Sequence, residues 1–278
     1  MASWPLVGTA SLYVRQSARL LARRPPLSAL AAPLDDRLVF VVGSPRSGTT
    51  FVARAIGSLP GFLDLGEVLP LKAAIPRLVE LEPGDAARRL RRILSATRRL
   101  GAAGGVRGVE QTPECAYLGR AVALAYPQAT ALHLLRDGRD VVASLLERGW
   151  LSGEEGGRDD AGLATGSAPR FWVERGREHE FAAASDARRA AWAWRRYVES
   201  ARSLESAHVV RYERLCTEPE RTAAELAEIL GAPPDRLAGA LSAADPSSVG
   251  RFRRDLDAAK LADVEAEAGV LLAELGYR

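Results

Sequence analysis

The chain has 278 residues, 47% hydrophobic and 26% charged, which suits one large α/β domain and excludes a collagen-like, wholly disordered or multispan membrane chain. The formal net charge is only +3, too little over this length to argue for nucleic acid. Of the 38 basic residues only Lys72 and Lys260 are lysines, an arginine excess that is either compositional or suited to planar recognition of phosphate-like anions.

Residues 1–34 carry Arg15, Arg19, Arg23 and Arg24 and no acid. They read as a helical basic extension, residues 1–36, that packs against its own domain or lies on a membrane surface. They lack a secretory signal, and no run approaches the length of a spanning helix, so a cytoplasmic location is expected. From residue 37 to 278 a single domain is expected. Leu38–Val42 is a continuous apolar run ending at Gly43, as in a strand buried on both faces of a parallel sheet. Similar runs at Val106–Glu110, Thr130–Leu135 and His208–Arg211 alternate with helical stretches at about Thr49–Ser58, Pro83–Leu100, Ala116–Ala125, Gly138–Glu147, Asp186–Leu204, Pro219–Leu230 and Asp257–Leu275. That alternation predicts a three-layer, P-loop-like α/β fold with a mainly parallel central sheet flanked by helices. Residues 151–168, rich in Gly, Asp, Glu and Ser, read as a long surface loop that, with Arg170-Phe171-Trp172, borders an acceptor pocket. Cys115, Cys216, His133, His179 and His208 fall in no metal-ligand spacing, so neither a metal site nor a disulfide framework is expected.

Gly43-Ser44-Pro45-Arg46-Ser47-Gly48-Thr49-Thr50 lies where a strand meets a helix, so backbone N–H groups and the helix N-terminus converge on an anion. The glycine spacing is that of a Walker A loop, yet Thr49 stands where its lysine belongs and Arg46 supplies a cation earlier. Transfer of a highly charged γ-phosphate normally uses that lysine with Mg²⁺; a less charged sulfuryl group needs less. Arg136 follows a predicted strand, and Ser144 and Arg148 follow it in the next helix, where all three can face one anion.

With Leu134-Leu135-Arg136-Asp137-Gly138-Arg139-Asp140-Val141-Val142-Ala143-Ser144, Val210-Arg211-Tyr212-Glu213-Arg214-Leu215 and Gly250-Arg251-Phe252, this loop resembles the PAPS-dependent sulfotransferases, in particular the bacterial and tyrosylprotein sulfotransferase branch. The four motifs stand in the family's order and span about Leu38 to Phe252. The resemblance implies transfer of a sulfuryl group from 3′-phosphoadenylyl sulfate (PAPS) to a hydroxyl, or less readily an amine, with the 3′,5′-bisphosphate (PAP) as product and no metal. It implies that Arg46, Ser47, Gly48, Thr49 and Thr50 grip the 5′-phosphosulfate. Arg136, Ser144, Arg148 and Arg251 would hold the 3′-phosphate, with Tyr212 bordering the adenine. Phe51 either stacks on adenine or belongs to the core. Arg139 and Asp140 read as an exposed pair outside the donor site.

A catalytic base is also required, and relatives that use histidine carry it in a string matched here by Glu110-Gln111-Thr112-Pro113. His133 reads as structural, inside an apolar strand. Glu67, in Gly66-Glu67, matches the glutamate of the carboxylate-based branches, with Glu110 in reserve. Gln111 departs from the lysine common in relatives. The acceptor is expected to be a small molecule such as a metabolite, sugar or glycolipid, with a peptide tyrosine as the alternative. A P-loop kinase or NTPase, and a catalytically silent nucleotide binder, are the competing readings.

Overall fold

The computed structural model describes residues 6–23, 25–26, 32–152, 158–159, 161–163, 173–204 and 206–277. Five strands, β1 (Val39–Gly43), β2 (Phe62–Gly66), β3 (Arg107–Glu110), β4 (Thr130–Leu135) and β5 (His208–Arg211), form one sheet in the order β2-β3-β1-β4-β5. Every pairing is parallel, with Val39–Gly43 opposite Thr130–Leu134 along the longest ladder. The predicted three-layer α/β architecture is therefore present, and the sheet is wholly parallel.

The apolar run that opens it is continuous because both faces are covered. Side chains alternate across a strand, so Phe40 and Val42 join a core with Leu90, Leu94, Val122 and Tyr126 from helices Pro83–Leu100 and Gly119–Ala125 and the turn after it. Val39 and Val41 face the other way, onto Val52 and Ile56 of helix Thr49–Gly57 and Leu226 and Leu230 of helix Pro219–Leu230. A third cluster packs helices Gly138–Arg148, Asp186–Ala201 and Ala258–Glu274 around Trp192 and Trp194.

Several elements were not foreseen, among them the short helices Glu178–Ala183, Tyr212–Thr217, Pro234–Leu241 and Phe252–Asp255, and two others bear on the site. Strand β2 reads Phe-Leu-Asp-Leu-Gly, where Asp64 argues against a buried strand; it is tolerated because its carboxylate accepts from Gly66 N at 2.7 Å and pairs with Arg23 at 3.1 Å. Helix Leu69–Leu78 carries Pro70 in its first turn and Pro76 inside, which obscured its pattern. The stretch expected as helix Ala116–Ala125 divides into a 3₁₀ turn, Pro113–Leu118, and helix Gly119–Ala125.

The basic extension forms helix Leu6–Ala22, and it packs against the domain. Leu20 is fully buried in the first core. Gln16 is buried as well, donating through Nε2 to Leu65 O at 2.8 Å and accepting at Oε1 from Leu69 N at 3.3 Å. Deleting a fully buried leucine side chain typically costs about 2–5 kcal/mol. Leu20→Ala is therefore expected to lower the unfolding free energy by an amount in that range, seen as a lower denaturant midpoint; an unchanged midpoint would place the helix outside the cooperative unit.

Candidate active site at the carboxyl edge of the sheet

Because every strand runs the same way, the residues that follow them line one edge. Glu67 follows β2, Gln111 follows β3, the glycine-rich loop follows β1, Arg136 follows β4 and Tyr212 follows β5. Chain order reverses beside β1, between β3 and β4, and ligands of such sheets bind outside the carboxyl ends at that point. Glu67 stands two strands, about 10 Å, from β1 along this edge.

The loop itself is shaped for close approach. Gly48 caps helix Thr49–Gly57 at φ 92°, and a Cβ placed there would lie 2.7 Å from the Tyr212 ring. Only glycine lets the loop pass under that ring. Arg46 has φ 72° without being glycine, a left-handed conformation that costs about 1–2 kcal/mol. Ser47 is buried, and its hydroxyl has no partner among the described residues, as expected of a group that completes its bonding with a ligand. Thr49 is buried and Thr50 exposed; Thr50 Oγ1 donates to Gln111 Oε1 at 3.1 Å. Gln111 thus joins β3 to the loop as a neutral neighbour. Phe51 is half-buried and packs on the second core.

Four arginines meet at the loop. Arg46 Nε donates to Ser144 Oγ at 3.0 Å. Arg136 Nη1 donates to Arg46 O at 3.1 Å, its other amino group reaches Ser248 O, and its guanidinium lies 4.6 Å from the Tyr212 ring centre. Burial lowers the pKa of Arg46, and the nearby charges of Arg148, Arg136 and Arg251 lower it further against a weaker opposing pull from Glu147. Arg148 is exposed, with no ion-pair partner among the described residues, whereas Arg251 pairs with Asp255 at 2.6 Å and Glu147 at 3.1 Å. The structure therefore brings together Arg46, Arg136, Ser144, Arg148, Tyr212 and Arg251, separated by up to 205 residues in sequence.

The reading of Arg139 and Asp140 as an exposed pair is corrected. Arg139 pairs instead with Asp137 at 2.7 Å, while Asp140 is 1% exposed and accepts from Gly250 N at 2.7 Å and Phe252 N at 3.0 Å. Asp140 fastens the Gly-Arg-Phe string beside the loop. Trp150, 5.8 Å from the Arg46 guanidinium, was also missed; its place one residue past a glycine cap gave no signal.

The two carboxylate candidates differ in access. Glu110 is wholly buried: Oε1 accepts from Thr112 N at 2.9 Å and from its hydroxyl, and Cys115 Sγ donates to Oε2 at 3.2 Å. Thr112 Oγ1 in turn accepts from Val68 N at 3.1 Å, so Glu110 braces the segment that carries Glu67. Glu67 keeps 31% of its side chain exposed, and its Oε2 is held by Lys72 Nζ at 2.5 Å. Burial pushes the Glu67 carboxyl upward, and the Lys72 ammonium opposes only part of that. His133 is buried in β4, its pKa pushed down to about 4 by burial and by Arg202. Segments 153–157 and 164–172, with most of the expected acceptor loop and Arg170-Phe171-Trp172, lie outside the described residues. Among the described residues no group of acids, histidines and cysteines is placed to hold a metal, and no helix is long and apolar enough to cross a membrane.

No protein-family model and no curated protein matches the sequence. Solved structures do match. The sulfotransferase domain of the Synechococcus PCC 7002 olefin synthase aligns with a TM-score of 0.53 at 17% identity, covering 87% of this chain and 96% of that one. The sulfotransferase domain from the curacin biosynthetic pathway aligns at 0.52 and 16% identity over 89% and 99% of the two chains. A sulfotransferase of Mycobacterium avium aligns at 0.52 and 13% identity over 96% and 83%. The chain thus has a sulfotransferase-like fold.

Burial raises the Glu110 pKa from 4.5 to about 7. The folded protein therefore keeps a proton that the unfolded chain releases, and stability falls as pH rises across that window. His133 does the opposite: its pKa drops from 6.5 to about 4, the unfolded chain takes up the proton first, and stability rises with pH between those values. The two slopes oppose each other below pH 6.5. In Glu110→Gln the histidine slope is no longer opposed by Glu110, so its Tm is expected to climb between about pH 4 and 6.5 more steeply than that of the wild type. Parallel Tm curves would show that Glu110 ionises in the fold like an exposed acid.

Proposed function

We propose that the chain is a sulfotransferase that moves a sulfuryl group from 3′-phosphoadenylyl sulfate to a hydroxyl, less readily an amine, of a small-molecule acceptor. The observation that carries this reading is the convergence of Arg46, Arg136, Arg148 and Arg251 on one loop at the edge where Glu67 also stands. Guanidinium groups repel one another, and a donor with a phosphosulfate at one end and a 3′-phosphate at the other relieves that repulsion. The unpartnered Ser47 hydroxyl and the buried, unpartnered Arg136 Nε fit the same anion. The sulfotransferase-like fold supports the assignment.

On this reading the loop residues Arg46 to Thr50 bind the 5′-phosphosulfate, and Arg136, Ser144, Arg148 and Arg251 bind the 3′-phosphate. The Tyr212 ring and Phe51 border the base, Phe51 contributing only the face that its core packing leaves free. Glu67 accepts the acceptor's proton, the acceptor oxygen bonds to sulfur, and the bond from sulfur to the bridging phosphate oxygen breaks, leaving the bisphosphate. Negative charge grows on that bridging oxygen, so a fixed Arg46 guanidinium stabilises the transition state more than the ground state. Its left-handed backbone and its bond to Ser144 hold it in place before the reaction. Gln111 donates no charge, which leaves Arg46 and backbone donors to carry the load. Holding donor and acceptor in line supplies much of the acceleration, and no metal is required.

Calorimetry is expected to show 3′,5′-bisphosphate binding far more tightly than ATP with Mg²⁺; the reverse order would favour a P-loop kinase or NTPase. Arg46→Ala is expected to lower kcat about 10²–10³-fold, and Glu67→Gln about 10²–10⁴-fold with bisphosphate affinity retained. Incubating the enzyme with labelled donor and a cell extract, then seeking by mass spectrometry the metabolite that gains a sulfuryl group, identifies the acceptor. Tight bisphosphate binding with no labelled product from any extract would mark a silent nucleotide binder.

A further inference from the structure

One of the two lysines of this arginine-rich chain is nearly buried beside Glu67. The Lys72 side chain is 9% exposed, and its Nζ lies 2.5 Å from Glu67 Oε2, 3.3 Å from Asp159 Oδ2 and 3.8 Å from Glu114 Oε1. The three carboxylates come from three places: the segment after β2, the 3₁₀ turn after β3, and the turn at residues 159–163. A tetrahedral ammonium gathers its acceptors around a single atom and out of one plane, whereas a guanidinium spreads them around its plane, as Arg195 does with Glu174, Glu199 and Glu267. That geometry gives a physical reason for lysine at this position in a chain that otherwise uses arginine.

The partners are themselves fixed. Asp159 Oδ1 accepts from Ala161 N at 2.9 Å and Leu163 N at 3.0 Å, so its other oxygen is aimed at Lys72 by its own turn. Tyr197 donates its hydroxyl to Glu114 Oε1 at 3.1 Å. Glu67 is engaged only through Oε2; its Oε1 has no partner among the described residues.

We infer that Lys72 is a positioning residue for the base, and that Asp159 and Glu114 share its ammonium so that Glu67 is oriented without being neutralised. The inference rests on Glu67 being the base. A lysine paired with Glu67 alone would hold the carboxylate but make it a poor proton acceptor. With two further carboxylates on the same ammonium, protonation of Glu67 removes one of three like charges, while Asp159 and Glu114 keep Lys72 in place. The acceptor's proton then goes to Oε1, and the Oε2 contact survives the step as an ammonium bound to a neutral acid.

The electrostatics agree in sign. At Glu67 burial raises the pKa, Lys72 lowers it, and Glu114 and Asp159 raise it again. At Lys72 burial alone would lower the pKa, but Glu114, Glu67 and Asp159 more than reverse that and keep it charged. Among the described residues, further charged groups near this segment are Glu110, enclosed at the end of β3, and Arg23, whose guanidinium is paired with Asp64 behind Gly66.

The test is the acid limb of the pH profile of kcat/KM, which reports ionisation of the free enzyme's base. Asp159→Asn removes a like charge and releases Lys72 toward Glu67, so the limb is expected to move to lower pH. Lys72→Met removes the attracting charge, so the limb is expected to move to higher pH, with kcat reduced up to about 100-fold by the loosened carboxylate. Each displacement is expected to be about one pH unit, as for a single charge within about 4–6 Å. Calorimetric binding of 3′,5′-bisphosphate verifies that each variant is folded, and Asp159→Asn carries the test alone if Lys72→Met does not fold. Limbs that stay at the wild-type position while activity falls evenly at all pH values would reduce the cluster to a structural brace and overturn the inference. Glu67→Gln separates this failure from that of its premise: if activity and the acid limb persist in that variant, the base is another group.

Discussion

Bringing several guanidinium groups to one loop is unfavourable, and carboxylates that fully relieved the repulsion would also neutralise the site. Here the acceptors around Arg46 and Arg136 are a serine hydroxyl and two backbone carbonyls. These orient the side chains and leave most of the positive charge in place. Carboxylate contacts offset part of this charge: Asp140 Oδ2 lies 4.0 Å from Arg136 Nη2, and Asp255 and Glu147 pair with Arg251. The left-handed Arg46 backbone, the glycine under Tyr212 and the orphaned Ser47 hydroxyl all follow from the same demand for a preorganised cationic cradle. Such preorganisation is costly in the free protein and is recovered when an anion binds.

Across the sheet the polarity changes. Two strands from the cradle stand Glu67, Glu114 and Asp159 around a single ammonium, with Glu110 enclosed behind them. The edge therefore carries a cationic end over β1 and β4 and an anionic end over β2 and β3, with the neutral Gln111 between them. On the reading proposed above, this separation keeps Glu67 from pairing with the arginines of the loop, which would disable both. On the proposed reading, a lysine in place of Gln111 would lie close to both ends, and its absence keeps the boundary neutral.

Much of this was legible in the sequence, for identifiable reasons. Strands β1 and β4 announce themselves because a strand covered on both faces is largely apolar, β3 and β5 show only as short runs, β5 being exposed at three of its four residues, and the loop after β1 is marked by its glycine spacing. Strand β2 was hidden because Asp64 is buried by a tertiary pairing with Arg23, forty-one residues earlier, that local pattern does not express. The Lys72 cluster was hidden for a similar reason: residues 67, 72, 114 and 159 share no motif and meet only through strand order. Asp140 looked like half of a surface pair because Arg139 is adjacent, whereas its partners are backbone amides 110 and 112 residues away.

Those amide bonds have a consequence for how the protein is made. Asp140 ties the cradle to residues 250 and 252, near the end of the chain, so the contact that seats Arg251 has one of the longest loops in the fold to close. The contact cannot form until residues 250–252 have been made, after the strands and most of the helices that precede them. During synthesis the β1 loop, Arg136 and Ser144 are all available long before Arg251 emerges. On the proposed reading, a chain that stops short of residue 251 would lack one of the cations of the anion cradle, together with the helix Ala258–Glu274 that packs the third core cluster.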